Sequence, residues 1–363
     1  MKILYDYQMF SIQKFGGITR YFCELIKNLP SEHQFNLSIV FSDNYYLKEN
    51  YDFFKKKNIL PDINIKGKHL IEKTISFINH CYSKHLISAN NFDLFHPTYY
   101  DNYFFKVLKK PYIITVHDLT VFKFQNTFYK SYTGKPQMEK IIKNANRIIS
   151  ISENTKKDIV ETFGIDPGKI DVIYHGYNKT GPGNNAVNYG KYILFVGWRG
   201  LYKNFIAFAE AVSKLLNKEK EIKLVCVGAA FNKEEMSLLS KLEIMNQAIA
   251  ISVDDKSLNG LYANALVFVF PSLYEGFGMP ILEAFANNCP VCLSNASCFP
   301  EIAGNAGVYF DPDSPGSILS AIEKVVYHNG FAKEIIKAGQ LRLKDFSWEK
   351  TANETAASYL KTI

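Results

Sequence analysis

Two glutamates flank a glycine-containing loop in the segment 271-PSLYEGFGMPILEA-284. Glu275 lies beside Gly276 and Gly278, and Glu283 falls in the first turn of the helix that is expected to follow. Glycines in such a loop let backbone N–H groups come close to a ligand. An acidic residue near a helix N-terminus interacts favourably with the helix dipole. That effect explains Glu283 alone, so Glu275 is predicted to face a polar ligand.

A second segment, 197-GWRGLYKN-204, has two cations directly after an apolar run. Arg199 and Lys203 come just before an amphipathic helix, although the N-terminal end of a helix disfavours positive charge. Two cations in this position suit a diphosphate, whose negative charge grows as it departs as a leaving group. We therefore predict that Arg199 and Lys203 bind a diphosphate. No metal or other cofactor is expected, because these cations and nearby loop amides can offset the leaving charge.

Other candidates follow apolar runs in the first half of the chain. Gly16 and Gly17 precede a helical pattern whose first N–H groups suit a phosphate, although a tight turn accounts for the two glycines equally well. His117 ends the run YIITV, where its side chain is expected to face a ligand. His96 and His175 have similar positions, and for each of them a structural hydrogen bond is as good an interpretation as a function.

Short apolar runs alternate with helical patterns along the whole chain. The predicted strands are residues 2–6, 37–41, 93–97, 112–116, 147–151, 192–197, 223–228, 265–270 and 290–293. Continuous apolar strands that alternate with helices indicate parallel sheets covered on both faces. The polar, glycine-rich stretch 177–190 is the best candidate for a linker. The predicted fold class is therefore α/β, with two Rossmann-like doubly wound domains that face each other across a ligand cleft.

Length and composition agree with this organisation. A chain of 363 residues exceeds the usual size of a single core, so two domains are expected. No apolar run reaches the ~18 residues of a membrane span, and the cysteines lie in apolar segments, which favours reduced thiols in the cytoplasm. The net charge is +7, and lysines cluster at 55–57 and 66–68. These clusters are either part of a solvated surface or a basic face that binds anionic lipid or phosphate. No nucleic-acid-binding module is recognisable.

These segments together resemble the glycosyltransferases of family GT4, a large retaining group with the GT-B fold that includes many bacterial polysaccharide enzymes. The most specific match is the spacing E-x7-E between Glu275 and Glu283. Supporting matches cover essentially the whole chain: 16-GGITR-20, 115-TVHDL-119, 150-SISENTKKDI-159, 172-VIYHGYN-178, 197-GWRGLYKN-204, 260-GLYANA-265 and 299-FPEIAGNAGVYFDP-312. Many relatives have arginine directly before the lysine, whereas this chain has Tyr202 there, which leaves Arg199 to take that role.

The resemblance implies a role for each matched residue. Glu283 would hold the ribose of a nucleotide sugar, and Glu275 would lie beside the donor hexose. Arg199 and Lys203 would bind the diphosphate. Gly16 and Gly17 would border the phosphate, and His117 would lie at the reacting centre. The backbone amides that contact the sugar and phosphate would come from Gly276, Phe277, Gly278 and Met279.

The resemblance also implies a domain plan and an activity. Residues 1–180 would bind the acceptor, residues 190–345 would bind the nucleotide sugar, and the helix within 346–363 would cross back onto the first domain. The expected reaction is the retaining transfer of a hexose, with GDP-mannose as the favoured donor, to a glycan or lipid-linked glycan in cell-surface polysaccharide synthesis, such as lipopolysaccharide.

Two alternatives to transfer stay open. They are a nucleotide-sugar epimerase on the same scaffold and an inactive subunit that binds a nucleotide sugar. The stretch of about 42–90, rich in tyrosine, phenylalanine and lysine, is expected either to meet a lipid-linked acceptor at the inner membrane surface or to act as a helical cover.

Overall fold

A computed structural model of the protein describes residues 1–54, 68–127, 132–177 and 189–363. Its strands are β1 (Lys2–Tyr5), β2 (Gln34–Leu37), β3 (Leu94–His96), β4 (Ile113–Val116), β5 (Arg147–Ser150), β6 (Ile170–Val172), β7 (Tyr192–Val196), β8 (Lys223–Val227), β9 (Ala248–Ile251), β10 (Val267–Phe270), β11 (Val291–Ser294) and β12 (Gly307–Phe310). Most of the predicted linker 177–190 and the lysines at 55–57 and 66 lie outside the described residues.

Helices separate most of these strands. They are α1 (Gln8–Ile12), α2 (Gly17–Lys27), α3 (Tyr45–Glu49), α4 (Tyr51–Phe54), α5 (Lys68–Ala89), α6 (Thr120–Lys123), α7 (Lys135–Asn144), α8 (Glu153–Phe163), α9 (Phe205–Lys218), α10 (Lys233–Lys241), α11 (Asp255–Asn264), α12 (Met279–Ala286), α13 (Phe299–Ala303), α14 (Pro315–Tyr327), α15 (Asn329–Arg342) and α16 (Trp348–Leu360). Within the described ranges, no helix is both long and apolar enough to cross a bilayer.

The chain divides into two compact units. The first contains Met1–Gly176 together with Trp348–Ile363, and the second contains Tyr177–Ser347. In the first unit all strands pair in parallel, in the orders β2-β1-β3 and β4-β5-β6. A parallel bridge between Phe95 and Tyr112 links β3 to the residue before β4. The strands described for this unit therefore follow one another in the order 2-1-3-4-5-6.

The second unit is built on one parallel sheet of order β12-β11-β10-β7-β8-β9. The order reverses between β7 and β10, which are neighbours in the sheet although two strands separate them in the chain. In doubly wound sheets, ligands bind outside the carboxyl ends of the strands at such a switch point. The predicted α/β class with doubly wound parallel sheets is thus confirmed.

Each sheet is covered by apolar helix faces. In the second unit, Phe208 and Val212 of α9 and Ile322 of α14 share a core with the strand residues Phe195 and Leu224. These strands read as continuous apolar runs because both faces of the sheet are buried.

In the first unit, the returning helix α16 joins the core. Ala352 and Tyr359 of α16 pack with Phe22 and Leu25 of α2 against Tyr5 of β1. The last helix of the chain therefore supplies part of the interior that the first strand requires.

One predicted strand is wrong in position. The run 37–41 was expected to be a strand, but β2 pairs with β1 over Gln34–Leu37 and ends there. Leu37 and Ile39 are both buried, so the apolar run reflects burial in the core and not extended pairing.

Candidate active site

Lys203 and Glu275 form an ion pair at the switch point of the second sheet. Lys203 follows β7 in a short 3₁₀ turn, Glu275 follows β10, and Lys203 Nζ lies 2.5 Å from Glu275 Oε1. Both side chains are largely buried, with exposed fractions of 17% and 15%. The Leu273 N–H donates to the Tyr202 carbonyl at 2.8 Å, which ties the two loops together through the backbone. The structure thus brings together two residues that the sequence singled out separately.

The backbone of Glu275 is held from a third loop. Its N–H donates to Ser297 Oγ at 3.1 Å, and the same hydroxyl donates to the Glu275 carbonyl at 2.6 Å. The Cys298 thiol donates to that carbonyl at 3.3 Å. Glu275 is therefore fixed by main-chain bonds that leave its carboxylate to Lys203. Sequence reasoning did not identify Ser297.

The glycine loop turns sharply into α12. Gly278 has φ +91°, a conformation that favours glycine, and a Cβ there would lie 3.1 Å from Ile281 Cδ1. Met279 is the first residue of α12, so Pro280 is its second residue. The position still suits proline, because the first helical N–H groups have no partner within the helix.

The other predicted residues of this loop lie around the same turn. Gly276 and Phe277 lead into it, and the Phe277 ring is buried against Phe346, with ring centroids 5.9 Å apart. Glu283 lies in α12 and accepts a hydrogen bond from the Tyr262 hydroxyl at 3.2 Å. Burial and the neighbouring Glu283 raise the pKa of Tyr262 well above its usual value, so this phenol remains a donor.

Arg199 binds a carboxylate and two backbone carbonyls. Its Nε donates to Glu235 Oε1 and its Nη2 to Glu235 Oε2, both at 3.1 Å. Nη2 also donates to the carbonyls of Ala229 and Ala230, at 2.7 and 3.0 Å. The guanidinium is 4.8 Å from the ring centroid of Phe231, and only 4% of the side chain is exposed. Lys203 pairs with Glu275 whereas Arg199 pairs with Glu235, a partner that sequence reasoning missed.

Glu235 could have been found from a local signal. The pattern Asn232-x-x-Glu235 before a helical run is a capping box. In the structure Asn232 Oδ1 accepts from the Glu235 N–H at 2.8 Å, and the Asn232 N–H donates to Glu235 Oε2 at 2.9 Å. Glu235 therefore caps α10 and pairs with Arg199 at the same time.

Gly16 and Gly17 form the start of α2. Gly16 has φ 168°, an extended conformation open to any residue, and it is the N-cap of α2 without a side-chain cap. A Cβ on Gly17 would meet no atom within 4 Å. The backbone of α2 at Gly17 is therefore open to a ligand, and the turn itself does not require glycine at that position.

His117 follows β4 and is enclosed by aromatic rings. Its ring centroid lies 5.1 Å from that of Tyr21 and 5.7 Å from that of His175. Among the described residues, its Nε2 has no hydrogen-bond partner and is buried. Burial lowers the pKa of His117 to about 3, so the ring is neutral at pH 7 and can exchange a hydrogen bond with a ligand hydroxyl.

His96 has a structural role. Its Nδ1 is 2.8 Å from the Tyr359 hydroxyl and its Nε2 is 3.0 Å from Thr115 Oγ1. The Tyr359 hydroxyl is in turn 2.7 Å from that of Tyr5. Burial lowers the pKa of His96 to about 3, so this neutral network joins β1, β3 and β4 to α16. The interpretation of His96 as a hydrogen-bonded core residue is favoured.

A buried acid at the end of β1 was not predicted. Asp6 accepts from the N–H and the hydroxyl of Thr98, at 2.8 and 2.6 Å, and from Gln8 Nε2 at 2.6 Å. Burial raises the pKa of Asp6 to about 6. Gln8 Oε1 accepts from the Asp101 N–H at 2.8 Å, so Asp6 fixes one wall of a nearby cavity of about 390 Å³.

No metal centre is formed by the residues that the structure describes. Within the described ranges, no group of three or more histidine, cysteine, aspartate or glutamate side chains could hold a metal ion.

Two glycosyltransferase family models match this chain, one over each half. The family model described as "Glycosyl transferases group 1" matches residues 182–342, and the model "Glycosyltransferase Family 4" matches residues 15–180. The O-antigen chain mannosyltransferase RfbU of Salmonella typhimurium is 29% identical over 213 residues, 58% of this chain and 60% of that protein. The O-antigen chain mannosyltransferase B of Escherichia coli is 27% identical over 267 residues, 68% of this chain and 69% of that protein.

A solved structure shares the fold over the full length. The crystal structure of Anabaena HepE in complex with UDP-glucose superposes with a TM-score of 0.74 at 16% sequence identity, and the match covers 99% of this chain and 100% of that one. At this level of identity the likeness concerns the fold alone.

Proposed function

We propose that this chain, which belongs to the family 4 glycosyltransferases and has their GT-B fold, transfers a hexose from a nucleotide diphosphate sugar to a glycan hydroxyl with retention of configuration. The observation that carries the proposal is the Lys203–Glu275 pair at the carboxyl ends of β7 and β10, where doubly wound sheets bind ligands. A buried cation beside a buried carboxylate offers one group for a phosphate and one for sugar hydroxyls.

Lys203 is the proposed stabiliser of the leaving group. When the glycosidic bond to the diphosphate breaks, negative charge collects on the departing oxygen, and a fixed cation nearby stabilises that charge most in a site that excludes water. The Lys203 ammonium is already held in place by Glu275 and lies 5.5 Å from the Phe270 ring centroid. A diphosphate would therefore meet an ammonium that already lies in the site and would replace Glu275 as its partner.

Glu275 and Glu283 are the proposed ligands of the donor's two sugar rings. Glu275 accepts from hydroxyls of the transferred hexose once the diphosphate takes over its ion pair with Lys203. Glu283, on α12, accepts from the ribose hydroxyls. In the first unit, neutral His117 offers Nε2 to a hydroxyl of the acceptor.

Mannose is the proposed sugar and GDP-mannose the proposed donor. The support is that the relatives from Salmonella typhimurium and Escherichia coli are both named O-antigen chain mannosyltransferases. The proposed setting is accordingly the synthesis of a cell-surface polysaccharide.

The proposed acceptor is a glycan that enters the cavity of the first unit. This cavity is lined by several tyrosines and by planar polar side chains, including Tyr7, Gln8, Tyr99, Asp101 and Gln137. Aromatic faces and fixed amides suit the apolar faces and hydroxyls of a sugar. Ile12 on the cavity wall and Phe77 next to the wall residue Ser76 are 63% and 67% exposed, which supports a lipid-linked acceptor held at a membrane surface.

Thermal unfolding in the presence of candidate donors tests the nucleotide. A ligand at 100 times its Kd stabilises the folded state by about 2.7 kcal/mol, which raises Tm by about 5–10 °C for a domain of this size. We expect GDP-mannose and GDP to raise Tm more than UDP-, dTDP- or ADP-sugars at equal concentration. Equal shifts for all donors would contradict the choice of GDP, and no shift with any of them would contradict nucleotide-sugar binding.

A transfer assay tests the reaction. We expect consumption of GDP-mannose to depend on an added glycan acceptor, and NMR of the product to show the anomeric configuration of the donor. Conversion of the donor in the absence of acceptor would indicate an epimerase instead. An inverted anomeric centre would contradict retention.

A further inference from the structure

Arg199 connects the end of β7 to the segment that follows β8. Two of its nitrogens hold the Glu235 carboxylate in a fork, and Nη2 also binds the carbonyls of Ala229 and Ala230. The third, Nη1, lies 3.6 Å from the position that a Cβ on Gly228 would take. Nε and Nη2 therefore bond to residues 229–235, whereas Nη1 is buried beside Gly228 and has no hydrogen-bond partner among the described residues.

The guanidinium has little freedom to leave this position. It lies 4.8 Å from the ring centroid of Phe231 and 5.8 Å from that of Phe205, and the side chain is almost fully buried. Movement toward a diphosphate would leave Glu235, 14% exposed, without its cation. Leaving a buried carboxylate without its paired cation is strongly unfavourable.

The segment that Arg199 holds is well placed to shape a ligand site. It begins at the carboxyl end of β8, which is adjacent to β7 in the sheet, and it ends in the first turn of α10, which Glu235 caps. Loops at this edge of a doubly wound sheet form the binding site for a nucleotide. One ion pair thus fixes the loop from the strand end to the helix start.

We propose that Arg199 is a positioning residue that fixes residues 229–235 as a wall for the nucleoside part of the donor, and that it does not bind the diphosphate. This inference rests on the proposed function, since it requires a nucleotide in the second unit. Arg199 then acts on the affinity for the nucleotide, whereas Lys203 acts on the transfer step.

Lysine and glutamine substitutions separate positioning from phosphate binding. Arg199→Lys keeps the positive charge, which suffices for a phosphate contact, but it cannot form the fork to Glu235. Glu235→Gln removes the charge of the partner and keeps a residue that suits a capping box. If Arg199 positions the segment, both variants weaken nucleotide binding, and Arg199→Met combined with Glu235→Gln is no worse than Arg199→Met alone.

The measurement is the Kd of GDP and UDP by titration calorimetry, together with kcat and KM for the donor. We expect Arg199→Lys and Glu235→Gln each to raise the nucleotide Kd by about tenfold, and kcat at saturating donor to fall far less than in Lys203→Met. Arg147→Met is the matched control, because Arg147 forms a similar fork with Asp171 in the first unit. This control should lower Tm without changing the nucleotide Kd.

Other outcomes would overturn the inference. Nucleotide affinity that survives in Arg199→Lys and Glu235→Gln but is lost in Arg199→Met would assign Arg199 to the phosphate. A fall in kcat as large as that of Lys203→Met, at unchanged Kd, would assign it to the transfer step. If the unsubstituted protein binds no nucleoside diphosphate, the proposed function fails together with this inference. If Arg199→Met does not fold, the lysine and glutamine variants alone decide.

Discussion

Replacement of Lys203 by methionine should affect stability and turnover separately, and a second substitution can divide the two effects. The Lys203–Glu275 pair is neither fully buried nor exposed, with exposed fractions of 17% and 15%. Exposed pairs contribute about 0–1 kcal/mol, whereas breaking a buried pair costs about 3–5 kcal/mol. We therefore expect Lys203→Met to reduce the free energy of unfolding by about 1–3 kcal/mol and Tm by about 2–12 °C.

The double variant Lys203→Met with Glu275→Gln removes the stranded charge. Most of the lost stability should then return, because the unpaired carboxylate is what destabilises the single variant. Turnover should stay about 10²–10³-fold below that of the unsubstituted enzyme, since the cation that stabilises the leaving diphosphate is still absent. Thermal unfolding and a donor-consumption assay on the same samples measure the two quantities.

Lys191→Met is the matched control for this experiment. Lys191 Nζ lies 2.6 Å from Glu221 Oε1 in the same unit, but both side chains are more than half exposed. Neither Tm nor turnover should change measurably in this control. The reasoning would be refuted if the double variant were no more stable than Lys203→Met, or if its turnover returned along with its stability.

Three further predictions follow from the described contacts. Gly228→Ala should destabilise the protein by about 1–3 kcal/mol, because φ at Gly228 is +151° and the new Cβ would lie 2.8 Å from the Gly197 carbonyl oxygen. Gly330→Ala is the control, because a Cβ there meets no atom within 4 Å, and it should leave Tm unchanged. Equal Tm values for the two variants would contradict this prediction. The pKa of His96 is about 3 in the folded protein and about 6.5 in the unfolded chain, so the unfolded state binds more protons between these pH values. The free energy of unfolding should therefore fall as the pH drops below 6.5, by up to about 1.4 kcal/mol per pH unit. His96→Gln should therefore give a shallower pH dependence of Tm between pH 7 and 5, and an unchanged slope would refute the assignment. Tyr359→Phe should lower the free energy of unfolding, measured in urea, by about 1–3 kcal/mol, because Tyr5 and His96 lose the hydroxyl that they bond. An unchanged free energy of unfolding would contradict this hydrogen-bond network.

The sequence predicted the central strands well and the edge strands poorly. β1, β7, β8 and β10 have neighbours on both sides, so their residues are buried and appear as continuous apolar runs. The strands that were missed, β6, β9 and β12, each lie at the edge of a sheet, and β2, which was misplaced, is also an edge strand. Ala248–Ile251 in β9 are all only partly buried. An edge strand has a neighbouring strand on one side only, so its residues are less buried and its sequence shows a less continuous apolar run.

The sequence predicted which residues belong to the candidate site, but not which of them are in contact. Lys203 and Glu275 were both expected to face a ligand, yet they are 72 positions apart in the chain, and their contact depends on β7 and β10 being neighbours in the sheet. Strand order is set by packing of the whole unit, which local patterns do not contain. The same limit applies to Arg199, whose partner Glu235 is 36 positions away.

The return of α16 to the first unit has a consequence for synthesis of the chain. Residues 177–347 are synthesised before residues 348–363, whose helix α16 completes the first unit. Until then Tyr5 and His96 lack the Tyr359 hydroxyl that satisfies both of them in the folded protein. The core of the first unit therefore cannot be completed until α16 has been made, and a fragment of residues 1–176 would need α16 supplied in trans.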